Sequence, residues 1–262
     1  MIRTKRFASL VWLLLLVLTT TGAMAQTDRS PGVFLGPPPV FPERPDRLWS
    51  QEPKLASPAA LTVDPADREA SRAFYFTNYQ NAAQPAIGWT GDVDTCSAGT
   101  TAAAFKDAVI LRINYFRAMA GVPAAVSWSS TYSAKDQKAA LMMAANSALD
   151  HTPPSSWECY SADGADGAGN SNLALGAYSW DAIGLYIKDP GVGNEFAGHR
   201  RWLLYPQTQL MGTGDIPPDA FYTANALWVF DDNIWGPRPA TREPYVAWPP
   251  PGYVPYPVVY PR

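Results

Sequence analysis

Residues 105–144 read FKDAVILRINYFRAMAGVPAAVSWSSTYSAKDQKAALMMA, and this stretch decides the fold class. Phe105, Ala108, Val109, Ile113, Phe116 and Ala120 recur at helical spacing and make one apolar stripe. Gly121 and Pro123 stop that helix, since glycine suits the left-handed turn at a helix end and proline cannot extend the ladder. Trp128 follows. Ser129 and Ser130 are N-cap candidates, because a serine hydroxyl accepts a bond from the free amides of a first turn. A second helix is predicted from about Thr131 to Leu149, rich in Ala and Met, so its neighbours can approach closely.

Downstream, Thr152 to Gly169 reads as a loop, with Pro, Gly and Asp throughout, and Asn170 to Leu175 as a short link. A third helix is predicted from about Trp180 to Lys188, ended by Pro190. A fourth starts near Glu195 and runs to Leu204, ended by Pro206. Leu210 to Gly214 and Ala224 to Phe230 read as strands. Upstream, Asp67 to Tyr79 turns helical, and Trp89 to Thr101 is turn-rich. Helices come first and strands later, which predicts α+β: helices packed on a small antiparallel sheet.

The two ends differ from this middle. Residues 1–25 read as a secretory signal: Arg3, Lys5 and Arg6, an apolar run from Leu10 to Leu18, then Ala23-Met24-Ala25 as a small-x-small cleavage site. The run is too short and wrongly flanked for a membrane span, so none is expected after cleavage. The remaining chain carries 17 basic against 23 acidic residues, with no basic cluster, which argues against nucleic acid as a partner. In an exported chain, Cys96 and Cys159 pair most simply as one disulfide; the alternative is two buried thiols. Residues 26–66 form a proline-rich leader, and residues 67–235 the main domain. Residues 236–262 are a tail of prolines interleaved with Tyr and Trp, ending on apolar VVYPR as if cut short or docked on something. Its aromatics either cover this domain or meet a sugar or partner.

Only two histidines exist. His151 ends AALMMAANSALDH, and His199 sits in GNEFAGHRRWLLYP. A three-histidine metal site and an H-E-x-x-H pair are thereby excluded. Glu195 lies four residues before His199, on the same face if the helix has begun by then.

The ordered phrases ILRINYFRAMAGVPAAVSWSSTYSAKDQKAALMMA, LDH, NSNLALG, GHRRWLL and LMGTGD resemble the CAP superfamily of cysteine-rich secretory, antigen 5 and pathogenesis-related proteins, including the bacterial SCP-like extracellular domains. The similarity covers about Phe105 to Phe230. It implies an α-β-α sandwich, a location outside the cell or in the periplasm, and a cleft of two histidines and acids. His151 and His199 fall on the two cleft histidines. Asn172-Leu173-Ala174 matches the family's G-E-N-L-A, with Ser171 in place of the glutamate; Asp189 lies near the other acid.

These residues leave several readings open. His151, His199 and Glu195 form a candidate set for zinc or another divalent cation, with Glu195 as third ligand or general base. Both histidines can equally be structural. Ser171 reads as a small polar filler on the cleft wall beside Asn172, since no G-x-S-x-G elbow is present. ADGADGAGN lacks the ligand spacing of a calcium loop and reads as a flexible rim. The favoured function is binding of a divalent metal, a small apolar ligand or a cell-surface polymer. The alternatives are a metal-assisted extracellular hydrolase and adhesion through the proline-rich tail.

Overall fold

The computed structural model describes residues 32–43, 59–191, 193–218, 220 and 222–260. Residues 1–25, read above as a secretory signal, lie outside them. Among the described residues, no helix is long and apolar enough to cross a membrane.

The deciding stretch folds as read. α2 (Ala103–Ala120) stops at Gly121, whose φ is 75°. α3 (Ser130–Asn146) starts from Ser129, whose hydroxyl accepts the Tyr132 amide at 3.2 Å. It ends three residues earlier than its composition predicts. Ser147 turns left-handed, and the Ala148 amide donates back to the Met143 carbonyl at 3.2 Å, closing the helix. α1 (Arg68–Tyr75) runs on into a wider turn, Phe76–Gln80.

Two segments differ from their reading. Asn170 to Leu175 is no link: β3 (Ser171–Leu175) is buried at every position and forms part of the sheet. The glycine-rich loop contains a helix, α4 (Ala162–Gly169), capped by Ser161. Its glycines look like breakers but serve close approach. A Cβ on Gly167 would stand 2.6 Å from the Lys135 carbonyl oxygen, and one on Gly164 2.8 Å from Met142 Cε. Asp166 pairs with Lys135 at 2.6 Å and Asp163 with Lys138, so this segment is pinned to α3 and is not a flexible rim.

β1 (Phe34–Leu35), β2 (Ser127–Trp128), β4 (Leu210–Ile216) and β5 (Ala224–Trp228) complete the sheet, in the order β1-β3-β5-β4-β2. The pairings are antiparallel except β2 with β4, which run parallel. Leu173, Leu175, Ala224 and Ala226 face α3 and α4. Ala174, Met211 and Leu227 face the other way, into a core with α2 and α5 (Ser179–Lys188). Helices therefore cover both faces, in an α+β arrangement of α-β-α layers.

The Cys96–Cys159 disulfide is formed. The tail covers the domain itself. Trp248 stacks edge-on against Phe116, and Val258 is fully buried. Arg242 donates to the Met119 carbonyl at the end of α2 at 2.5 Å. Tyr245, Tyr253 and Tyr256 of the same tail remain exposed.

Candidate functional site

α5 ends at Asp189, which turns left-handed (φ 53°) and points its carboxylate back beneath α6 (Gly198–Leu203). Asp189 Oδ1 lies 2.8 Å from His199 Nδ1, and both side chains are fully buried. Tyr186 stacks on the imidazole at a centroid distance of 5.9 Å. The other ring nitrogen, Nε2, is buried and has no hydrogen-bond partner among the described residues. Asn172 donates to the His199 carbonyl at 3.0 Å and so ties β3 to α6.

Glu195 is not on that helix. α6 begins three residues later, after a turn through Ala197 (φ 53°), so spacing by four does not place Glu195 and His199 on one face. Gly191 and Gly193 have positive φ, 110° and 91°, and Glu195 and Phe196 lie in a turn. Glu195 is exposed, and its carboxylate accepts the Gly193 amide at 3.2 Å.

His151 is half-buried and meets different neighbours. Nδ1 lies 2.7 Å from the Ala168 carbonyl at the end of α4, and Nε2 lies 2.9 Å from the Pro37 carbonyl of the leader.

Ser171 and Asn172 point to opposite faces of the sheet, as adjacent strand residues must. Ser171 donates to Asp136 Oδ1 of α3 at 2.8 Å, while Asn172 faces α6. Asp136 Oδ2 accepts the Trp228 amide at 2.7 Å. Burial pushes the Asp136 carboxyl well above its usual range, against the Ser171 and Trp228 bonds that favour the ionised form. On the α5 side, Asp215 accepts from the Ser179 amide at 2.6 Å, Thr213 at 2.7 Å and Asn225 at 2.9 Å. Burial raises its carboxyl too. Tyr186 completes this layer by donating to Asn225 Oδ1 at 2.7 Å.

Asp136, Asp215, Asn225 and Tyr186 did not emerge from the sequence. One signal was available for Asp136. It stands three residues after Ser133 and four before Ala140, so it lies on the buried face of α3.

A cavity of about 450 Å³ lies beside α5. Tyr79, Tyr178, Trp180, Leu185 and Tyr260 supply its apolar wall; Asp181 and Lys188 supply charge.

Residues 110–230 match the model of the cysteine-rich secretory protein family, CAP. This segment is a domain of the CAP superfamily. The matched segment runs from α2 through β5 and contains both histidines. No curated protein and no solved structure matches the chain. In this CAP domain two of the three proposed ligands of a divalent ion are engaged elsewhere, His151 by two carbonyls and Glu195 by a turn amide, while Asp189 holds only Nδ1 of His199. Among the described residues, no three His, Cys, Asp or Glu side chains gather as a metal site. His151, His199 and Glu195 therefore do not fit such an ion as they stand.

Proposed function

We propose that this CAP protein is a binding module of the extracellular or periplasmic space, taking a small, largely apolar ligand in the cavity beside α5. The supporting observation is the cavity itself. Its volume of about 450 Å³ suits a small molecule. Its aromatic wall offers ring faces to an apolar body, and Asp181 and Lys188 offer charge to a polar end. The disulfide and the signal-like residues 1–25 support an oxidising compartment. Hydrolysis through a bound ion draws no support from the geometry of the two histidines.

Gly184 gives a direct test. It lines the cavity, and a Cβ there would find its nearest neighbour, Tyr260 Oη, at 3.5 Å. Gly184→Leu therefore fills the cavity from a tolerant position. The probe is an anilinonaphthalene sulfonate, apolar with one charged end, followed by its fluorescence. Saturable binding at one site, weakened at least tenfold by Gly184→Leu, is the expected result. Equal binding by both proteins, or none by the wild type, removes this reading.

A further inference from the structure

The leader segment 32–43 lies on the domain as an extended strap. Phe34 and Leu35 pair with Leu175 and Ala174 at the edge of β3. The Pro37 carbonyl accepts from His151 at 2.9 Å, and the Pro39 carbonyl accepts from Trp202 Nε1 at 2.9 Å. Pro38 sits where a Cβ on Gly198 would be, 2.2 Å from its Cγ. Phe41 fills an aromatic box, with ring centroids 5.4 Å from Trp202, 6.0 Å from Tyr205, 5.8 Å from Phe230 and 4.7 Å from Trp235.

We propose that the groove under residues 33–41 is a peptide-recognition site, that this segment is its tethered ligand, and that the groove takes in trans an extended peptide with the pattern Pro-Pro-Pro-x-aromatic. Every contact is of a kind that a separate peptide can make. Two residues add to a sheet edge, two carbonyls accept from side chains, and one ring anchors in a box. The segment also keeps an outward face: Phe34 is 54% and Val40 86% exposed. Three consecutive prolines hold it extended before it docks, which lowers the entropy lost on binding. The groove is assembled from distant parts of the chain: β3, the loop after α3, α6 and the residues after β5. The strap itself contributes only a two-residue strand. Such a segment opens more easily than the core.

A tethered ligand competes at an effective concentration on the order of millimolar, so the closed groove takes up little free peptide. Phe41→Ala in the full chain removes the ring anchor of the strap and leaves the box intact. A fluorescein-labelled peptide GVFLGPPPVFPE, the sequence of residues 32–43, is titrated into both proteins and followed by anisotropy. Binding to Phe41→Ala at least tenfold tighter than to the wild type is expected. The same peptide carrying Ala for its phenylalanine at the Phe41 position should bind that variant at least tenfold more weakly. No binding to a variant that melts cooperatively, or equal affinity for the two peptides, overturns the proposal. If Phe41→Ala does not melt cooperatively, Phe41→Leu replaces it under the same criteria. The cavity beside α5 plays no part in this test, and Gly184→Leu should leave peptide binding unchanged.

Discussion

The two sides of the sheet are packed by opposite means. On the α3 side, backbones touch. A Cβ on Gly214 would stand 2.1 Å from the Asp136 carbonyl carbon, and one on Gly212 2.6 Å from the Tyr132 carbonyl carbon. Alanines 139, 140 and 144 continue the pattern along α3. On the α2 and α5 side the core is aromatic, with Phe105, Tyr115, Phe116, Tyr186 and Trp248. Small residues let backbones approach closely, whereas rings hold helix and sheet further apart. The cavity lies on the aromatic side. The strap's aromatic box, too, is built of large rings.

The largest expected effect comes from a fully buried charge on the aromatic side. Arg117 is fully buried and donates to the carbonyls of Pro123, Leu203, Tyr205 and Thr208 at 2.8 to 3.2 Å. Burial pushes its guanidinium down to about 10, and Asp231 opposes that shift. Arg117→Ala strands several buried acceptors at once and should cost about 3–5 kcal/mol. Urea midpoints measure it. A loss below about 1 kcal/mol would mean that water replaces the guanidinium.

Next come two glycine-to-alanine changes, one on each side. Gly214→Ala drives a methyl into the α3 backbone and should cost about 1–3 kcal/mol or more. Gly184→Ala meets nothing closer than 3.5 Å and lies within α5, so helix propensity should raise stability by up to about 1 kcal/mol. Thermal melts of the two variants compare the two packing styles directly. Similar melting temperatures would erase the contrast.

The smallest effect is a slope with pH. The Asp136 carboxyl is raised in the folded state, chiefly by burial, so the folded protein holds that proton more tightly than the unfolded chain. Its contribution is fully present below the ordinary carboxyl range, near 4, and is lost as pH rises through the folded value. Asp215 and Asp231 are raised by burial in the same direction. Asp136→Asn can accept the Trp228 amide and donate to the Ser171 hydroxyl, so both bonds survive without the charge. Urea titrations from pH 4 to 9 should show a shallower decline for Asp136→Asn. An unchanged slope would assign the pH dependence to the other two acids.

Local rules made much of this fold legible. The stripe through Phe105 and Phe116, the stop at Gly121 and the cap at Ser129 depend on near neighbours in the chain, and they appear where the sequence places them. The Cys96–Cys159 pair followed from counting cysteines. The glycine-rich helix α4 was hidden because its glycines answer to another helix: Gly164 and Gly167 are small for the sake of α3. β3 was hidden because it is buried on both faces, and its five residues show no alternation. At the site, both histidines and Asp189 were named by sequence, but not which of them meet. His199 bonds Asp189 and not Glu195, because α6 begins at Gly198.

The sequence by itself determined the helices of residues 105–144, the later strands, the disulfide and the CAP resemblance. Each depends on spacing along the chain or on residue type, and both are properties of one dimension. The tertiary structure decided what meets His151, which acids are buried, where a cavity remains and where the leader lies. Those outcomes depend on which faces remain uncovered once helices pack on both sides of the sheet. Pro37 meets His151 across 114 positions of sequence, a distance over which no local periodicity carries information.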